Sequence, residues 1–118
     1  MIVDDMPAAT RAMGKLLEKR GYDTIEDTDS TKALALAHKF KPDLILLDVS
    51  MPWKNGYEVA NDLSQDNQLR DIPVIMMTAY EQEIDPVHTQ PVLIKPFTIE
   101  ELLENVAKCL RGQPVTSV

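Results

Sequence analysis

The chain has 118 residues, 44% of them hydrophobic, and sets 12 Lys and Arg against 19 Asp and Glu for a net charge of −7. This is the size of one compact domain that buries a majority of the surface its unfolded form exposes, and without a basic stripe to neutralise phosphates direct nucleic-acid binding by this segment is not expected. Apolar runs such as Leu44 to Leu47 and Val74 to Met77 fall far short of the roughly 20 residues that span a bilayer, no basic region leads into a long apolar core at the N-terminus, and the single Cys109 has no disulfide partner, which fits a reducing cytoplasm.

Met1-Ile2-Val3 reads as the tail of a first strand whose earlier residues are missing or trimmed, ending in Asp4-Asp5. Pro7 suits the first turn of a helix, and Ala9, Met13, Leu16 and Leu17 recur at helical spacing until Gly21 stops the pattern. Tyr22 to Thr28 is a weak strand, after which Asp29 or Ser30 caps a helix with Ala33, Leu36, Ala37 and Phe40 on one side, ended by Lys41-Pro42. Leu44 to Leu47 is apolar at every position, as a central parallel strand covered on both faces requires, and it stops at Asp48. A loop with Pro52 and Gly56 leads to a helix burying Val59, Ala60 and Leu63, and the polar stretch Ser64 to Asp71 returns the chain to a strand over Val74 to Met77. Val92 to Ile94 makes a fifth strand. Thr98 and Glu101 form a capping box for a last helix using Ile99, Leu102, Leu103, Val106 and Leu110, with Gly112 at its end.

Strands alternating with helices predict right-handed crossovers and an α/β three-layer sandwich around a five-stranded, mostly parallel sheet. In such sheets ligands bind beyond the carboxyl ends of the strands, where Asp4-Asp5, Asp48, Thr78 and Lys95 all fall. Any one of these residues, taken alone, is as well explained as a surface charge; their coincidence on one edge is not. Carboxylates sharing a cleft repel one another unless a cation is shared or a proton taken up, and hard oxygen ligands favour Mg²⁺, which is commonly held by one or two carboxylates plus phosphate oxygens. Lys95 then supplies positive charge to a phosphoryl group and Thr78 a hydroxyl donor. With no Gly-rich phosphate loop, the chain is not expected to bind ATP as a kinase does.

In order along the chain, Asp4-Asp5, Asp48 with Met51-Pro52 and Gly56, Thr78-Ala79, and Lys95-Pro96-Phe97 resemble response-regulator receiver domains throughout. The resemblance implies a flavodoxin-like sheet of order 2-1-3-4-5 over residues 1–111, with 112–118 a tail or the start of a linker. It implies that Asp48 takes a phosphoryl group from a histidine kinase or histidine phosphotransfer protein, and that the acyl phosphate switches an output partner or domain. Mg²⁺, or Mn²⁺ in its place, would be bound by Asp5 directly, by Asp48 through a carboxylate oxygen, by Ser50 through its main-chain carbonyl and by Asp4 through water. Lys95 would contact the phosphoryl oxygens and Thr78 would move to hydrogen-bond them, with small Ala79 leaving room. The Lys95-Pro96 bond is expected to be cis. Ser50 and Tyr80 match positions that tune phosphoryl lifetime. No catalysis is implied beyond self-phosphorylation and autodephosphorylation at Asp48, and a dimer dependent on phosphorylation is allowed.

Two departures stand out. Val92 occupies the place of a switch aromatic three residues before the lysine, which puts aromatic toggling in doubt. Sixteen residues separate Thr78 from Lys95 and include Pro86 and Pro91, so a fourth helix there is expected to be short, irregular or absent. Two rival readings use the same residues: a pseudo-receiver that binds without phosphorylation, and a phosphohydrolase with an aspartyl-phosphate intermediate, whose acid/base aspartate would belong where Ser50 stands. Cys109, His38 and His88 have no ligand-spaced neighbours and read as structural or solvated residues. Trp53 is either a partner anchor or a packed loop residue.

Overall fold

A computed structural model describes residues 1–112 of the chain; residues 113–118, where the tail is expected, lie outside the described residues. Because side chains alternate across a strand, the apolar run before Asp48 feeds both faces of a sheet at once. Ile45 and Leu47 enter one core with Val3, Met76, Val59 and Leu63, while Leu44 and Leu46 enter a second with Ile2, Ile75, Leu17 and Val106. The strands are β1 (Ile2–Val3), β2 (Glu26–Asp27), β3 (Ile45–Asp48), β4 (Val74–Thr78) and β5 (Val92–Ile94). They form one five-stranded sheet in the order β2-β1-β3-β4-β5, and every pairing is parallel. This is the expected three-layer sandwich: helices α2 (Ala33–Phe40) and α3 (Gly56–Gln65) supply the first core, α1 (Pro7–Glu18) and α4 (Ile99–Leu110) the second. No described helix is long and apolar enough to cross a membrane.

Local chemistry sets most boundaries. Pro7 starts α1, Asp29 accepts from the Thr31 N–H to cap a short 3₁₀ turn before α2, and Thr98 accepts from the Glu101 N–H at the start of α4. The reciprocal capping box lies at α3 instead, where Asn55 and Glu58 satisfy each other's backbone N–H. α2 ends on Lys41 in the left-handed conformation, φ 47°.

Two expectations need correction and a third is met. The strand expected over Tyr22 to Thr28 shrinks to Glu26–Asp27, since only β1's two residues lie beside it for pairing. Phe40, the last residue of α2, is 46% exposed, as are Ile99 and Leu110 at the two ends of α4 to similar degrees; terminal positions are less covered than their spacing suggests. Between β4 and β5 no α-helix forms: one 3₁₀ turn, Glu81–Glu83, is followed by irregular chain, in keeping with the prolines there.

Gly56 opens α3 against the end of β3. A Cβ at this position would lie 2.2 Å from the Asp48 carbonyl oxygen and 2.9 Å from the Met76 methyl carbon, and the Gly56 N–H donates to the Val49 carbonyl at 2.9 Å. Only glycine lets the helix approach the strand this closely. Gly56→Ala is therefore expected to lower stability by about 2–3 kcal/mol, read as a lower urea midpoint at unchanged slope; an unaltered midpoint would show that the contact relaxes at no cost.

Candidate functional site

The carboxyl ends of β1, β3, β4 and β5 bring Asp4, Asp5, Asp48, Thr78 and Lys95 to one edge of the sheet. Carboxylate oxygens of Asp4, Asp5 and Asp48 lie within 4.8 Å of one another. Asp4 and Asp48 are buried, whereas Asp5 faces solvent. Two like charges about 4 Å apart repel by ~4 kcal/mol at the effective dielectric of a protein surface, so the cluster calls for a compensating cation. The donor set is hard oxygen throughout and open to solvent on the Asp5 side, which fits a Mg²⁺ that keeps part of its water.

Lys95 supplies part of that compensation. Its Nζ donates to Asp4 Oδ2 at 2.8 Å and sits 3.4 Å from Asp48 Oδ1. Burial works against the Lys95 charge, but the hydrogen bond to Asp4 and the charges of Asp48 and Asp4 outweigh it and hold its pKa above the usual lysine value. The other Asp4 oxygen, Oδ1, accepts from the Met6 N–H at 3.0 Å at the start of α1. Both Asp4 oxygens thus already have protein donors, while Asp5 is left to solvent. The Lys95-Pro96 peptide is cis, as expected.

Thr78 is buried at the end of β4, yet its hydroxyl is engaged away from the acidic cluster. It accepts from the Tyr80 N–H at 3.1 Å and lies 3.0 Å from Glu83 Oε2 and 3.2 Å from the Tyr80 carbonyl oxygen, either of which can take its proton. Ser50 and Ala79 are exposed beside the site, and Tyr80 is 55% exposed on its rim. Val92 is not at the site at all: it is buried and packs in the core beneath it. Trp53 holds a left-handed backbone, φ 65°, and is 87% exposed, which removes the packed-residue reading. His38 pairs with Asp66 at 2.7 Å, and His88 stacks on Tyr57.

Two polar groups near this edge carried no signal in the sequence. Glu83, which contacts Thr78, comes from the 3₁₀ turn after β4. Asp27 ends β2 with its side chain buried; Oδ1 accepts from the Asp29 N–H at 3.0 Å, but Oδ2 has no hydrogen-bond partner, and burial pushes its pKa up. Asp27 does not join the group of converging carboxylates.

Burial also pushes the Asp48 carboxyl up to about 6, with Lys95 opposing and Asp4 and Asp5 reinforcing. A carboxyl whose folded pKa exceeds its unfolded one binds its proton more tightly when folded. Its stabilising contribution is therefore present at low pH and lost as pH rises from about 4 through about 6. In metal-free protein Asp48→Asn should remove this loss, raising stability by up to about 3 kcal/mol at pH 7.5 and scarcely at pH 4. Urea unfolding at the two pH values measures it; an equal effect at both would show that ionisation of Asp48 is not responsible.

The family model of the response regulator receiver domain matches residues 1–107. Protein PilH of Pseudomonas aeruginosa is 34% identical over 117 residues, which cover 95% of this chain and 97% of PilH. The DNA-binding dual master transcriptional regulator RpaA of a Synechocystis strain is 39% identical over 116 residues. That match takes in 94% of this chain but 48% of RpaA, so the chain spans about half the length of that relative. Among solved structures, the chemotaxis protein CheY4 of Vibrio cholerae superimposes with a TM-score of 0.81 at 30% identity, covering 91% of this chain and 93% of that one. With the fold, the acidic edge and the family match in agreement, the chain belongs to the response regulator receiver domains of two-component systems.

Proposed function

We propose that the chain is a working phosphoacceptor: Asp48 takes a phosphoryl group from the phosphohistidine of a histidine kinase or phosphotransfer protein, in a Mg²⁺-dependent reaction in the cytoplasm, and the resulting charge switches an output partner or domain. The observation that carries this reading is the convergence of Asp4, Asp5 and Asp48 within 4.8 Å, with Lys95 between Asp4 and Asp48. A receiver-like fold retained only for binding would gain nothing from such a repulsive cluster.

In the transfer, a carboxylate oxygen of Asp48 forms a bond to phosphorus as the P–N bond of phosphohistidine breaks, and the electron pair of that bond returns to the imidazole, which then takes up a proton from solvent. Asp5, Asp48 and the Ser50 main-chain carbonyl would hold the ion, with Asp4 contributing through water because its own oxygens are engaged by Lys95 and Met6. When bound, Mg²⁺ supplies positive charge against the phosphoryl oxygens and the acidic cluster. Lys95 binds and orients the phosphoryl group, and its ammonium offsets charge that would otherwise accumulate beside Asp4. Thr78 donates to the group once its hydroxyl leaves Tyr80 and Glu83. Ser50 and Tyr80, exposed on the rim, govern access of the water that ends the acyl phosphate. The exposed Ser50 leaves no acid/base carboxylate two residues beyond Asp48, which speaks against turnover of unrelated phosphate esters.

Incubation with a small acyl or amido phosphate donor and Mg²⁺ should add one phosphoryl group by intact mass spectrometry. The addition should vanish in Asp48→Ala and with a chelator, and should slow by about 100-fold in Lys95→Ala. A chain that stays unmodified with competent donors, or an adduct that survives Asp48→Ala, would sink the reading.

A further inference from the structure

Resting on the phosphoacceptor reading, the contact between Thr78 and Glu83 adds a component of its own. Thr78 has one hydroxyl proton. If it is to reach a phosphoryl group on Asp48, that proton must leave its present acceptors, and a hydrogen bond to a carboxylate is among the stronger ones a hydroxyl makes. Glu83 lies 3.0 Å from the Thr78 hydroxyl through Oε2, at the end of the 3₁₀ turn Glu81–Glu83 that stands in place of a fourth helix.

The turn is anchored on its far side by α3. Ile84 packs against the first core, the Asp85 N–H donates to the Tyr57 hydroxyl at 2.9 Å, and the His88 ring stacks on Tyr57 with centroids 4.5 Å apart. His88 also stands 3.6 Å from Asp85. The chain after Glu83 is thus tied to a helix that does not itself carry Thr78, and Glu83 is placed beside the threonine from both ends of its turn.

We propose that Glu83 is a positioning residue that holds the Thr78 hydroxyl out of the phosphorylation site and competes with the phosphoryl group for it. A carboxylate and a phosphorylated Asp48 are two anionic acceptors for one proton. The side chain of Glu83 therefore sets how readily the modified protein passes to the state in which Thr78 faces the site, and release of Glu83 removes its tie between Thr78 and the segment after β4 at the same moment.

The test uses the full chain saturated with Mg²⁺ and titrated with beryllofluoride, a non-transferable phosphoryl mimic, by calorimetry. The Thr78 methyl resonance is followed by NMR in parallel. Glu83→Ala should tighten beryllofluoride binding by about tenfold, and Glu83→Gln, which keeps the shape but offers a neutral acceptor, by a smaller factor. In both variants the Thr78 methyl shift should move toward its bound value before the mimic is added, while Mg²⁺ affinity stays that of the wild type. If the wild type binds the mimic and both variants bind it equally well with an unmoved Thr78 resonance, the competition is overturned and the phosphoacceptor reading stands. If neither wild type nor variants bind it, the phosphoacceptor reading fails and the role of Glu83 falls with it.

Discussion

The structure depends on one electrostatic constraint: three carboxylates held together at the edge of a sheet, with Lys95 standing between the two that are buried. Desolvation and mutual repulsion make this arrangement costly to the fold, as the upward displacement of the Asp48 pKa to about 6 records. The surrounding architecture holds it in place. β1 and β3 are neighbours in the sheet, so Asp4 and Asp48 leave it side by side, and the glycine at the start of α3 lets that helix close directly on the Asp48 carbonyl. The site is thus strained electrostatically but rigid in its backbone, the condition under which an arriving cation or phosphoryl group meets preorganised ligands.

Much of this could be read from the amino acids because the informative features repeat. An all-apolar run ending in Asp48 marks a strand covered on both faces, and Ile45 and Leu47 do face one core while Leu44 and Leu46 face the other. Polar residues at successive strand ends then meet by topology alone, with no knowledge of side-chain conformation. Where the pattern was weak, reading failed. Phe40, Ile99 and Leu110 have the right spacing but lie at helix termini, and periodicity says nothing about where a helix runs past its sheet. The capping box sits at Asn55-Glu58, a pairing hidden in a loop rich in other turn formers. Trp53 is exposed and holds a left-handed backbone, a conformation sequence gives little reason to assign to tryptophan. The unpartnered Asp27 oxygen belongs to the same class, since solitary acids in short strands look like surface residues.

The segment between β4 and β5 shows how local chemistry can replace an element. Pro86 and Pro91 deny it helical hydrogen bonds, and what forms is a single 3₁₀ turn followed by irregular chain. Its backbone is instead satisfied piecemeal: Asp85 accepts from the Val87 N–H, the Tyr57 hydroxyl accepts from Asp85, and the His88 N–H donates to the Asp85 carbonyl. Few apolar contacts hold this chain apart from Ile84, and Val87 is 83% exposed. Segments tied down by polar contacts rather than by burial open at lower free energy than the core.

The identity of residue 92 sharpens that point. Val92 is 6% exposed and lies in the core opposite Met76 on β4. A buried valine has no polar tip to seek water and too little reach to alternate between core and surface, so rotation of this side chain offers no surface change for a partner to read. The Thr78 hydroxyl bonds to Tyr80 and Glu83, while its carbonyl accepts from the Lys95 N–H within the sheet. Tyr80 is already more than half exposed on the rim of the site, and Glu83 leads into the chain that Tyr57 anchors. On the phosphoacceptor reading, what the Thr78 hydroxyl can hold or release is therefore the segment after β4, which Tyr57 of α3 anchors, rather than the packing of a ring at residue 92.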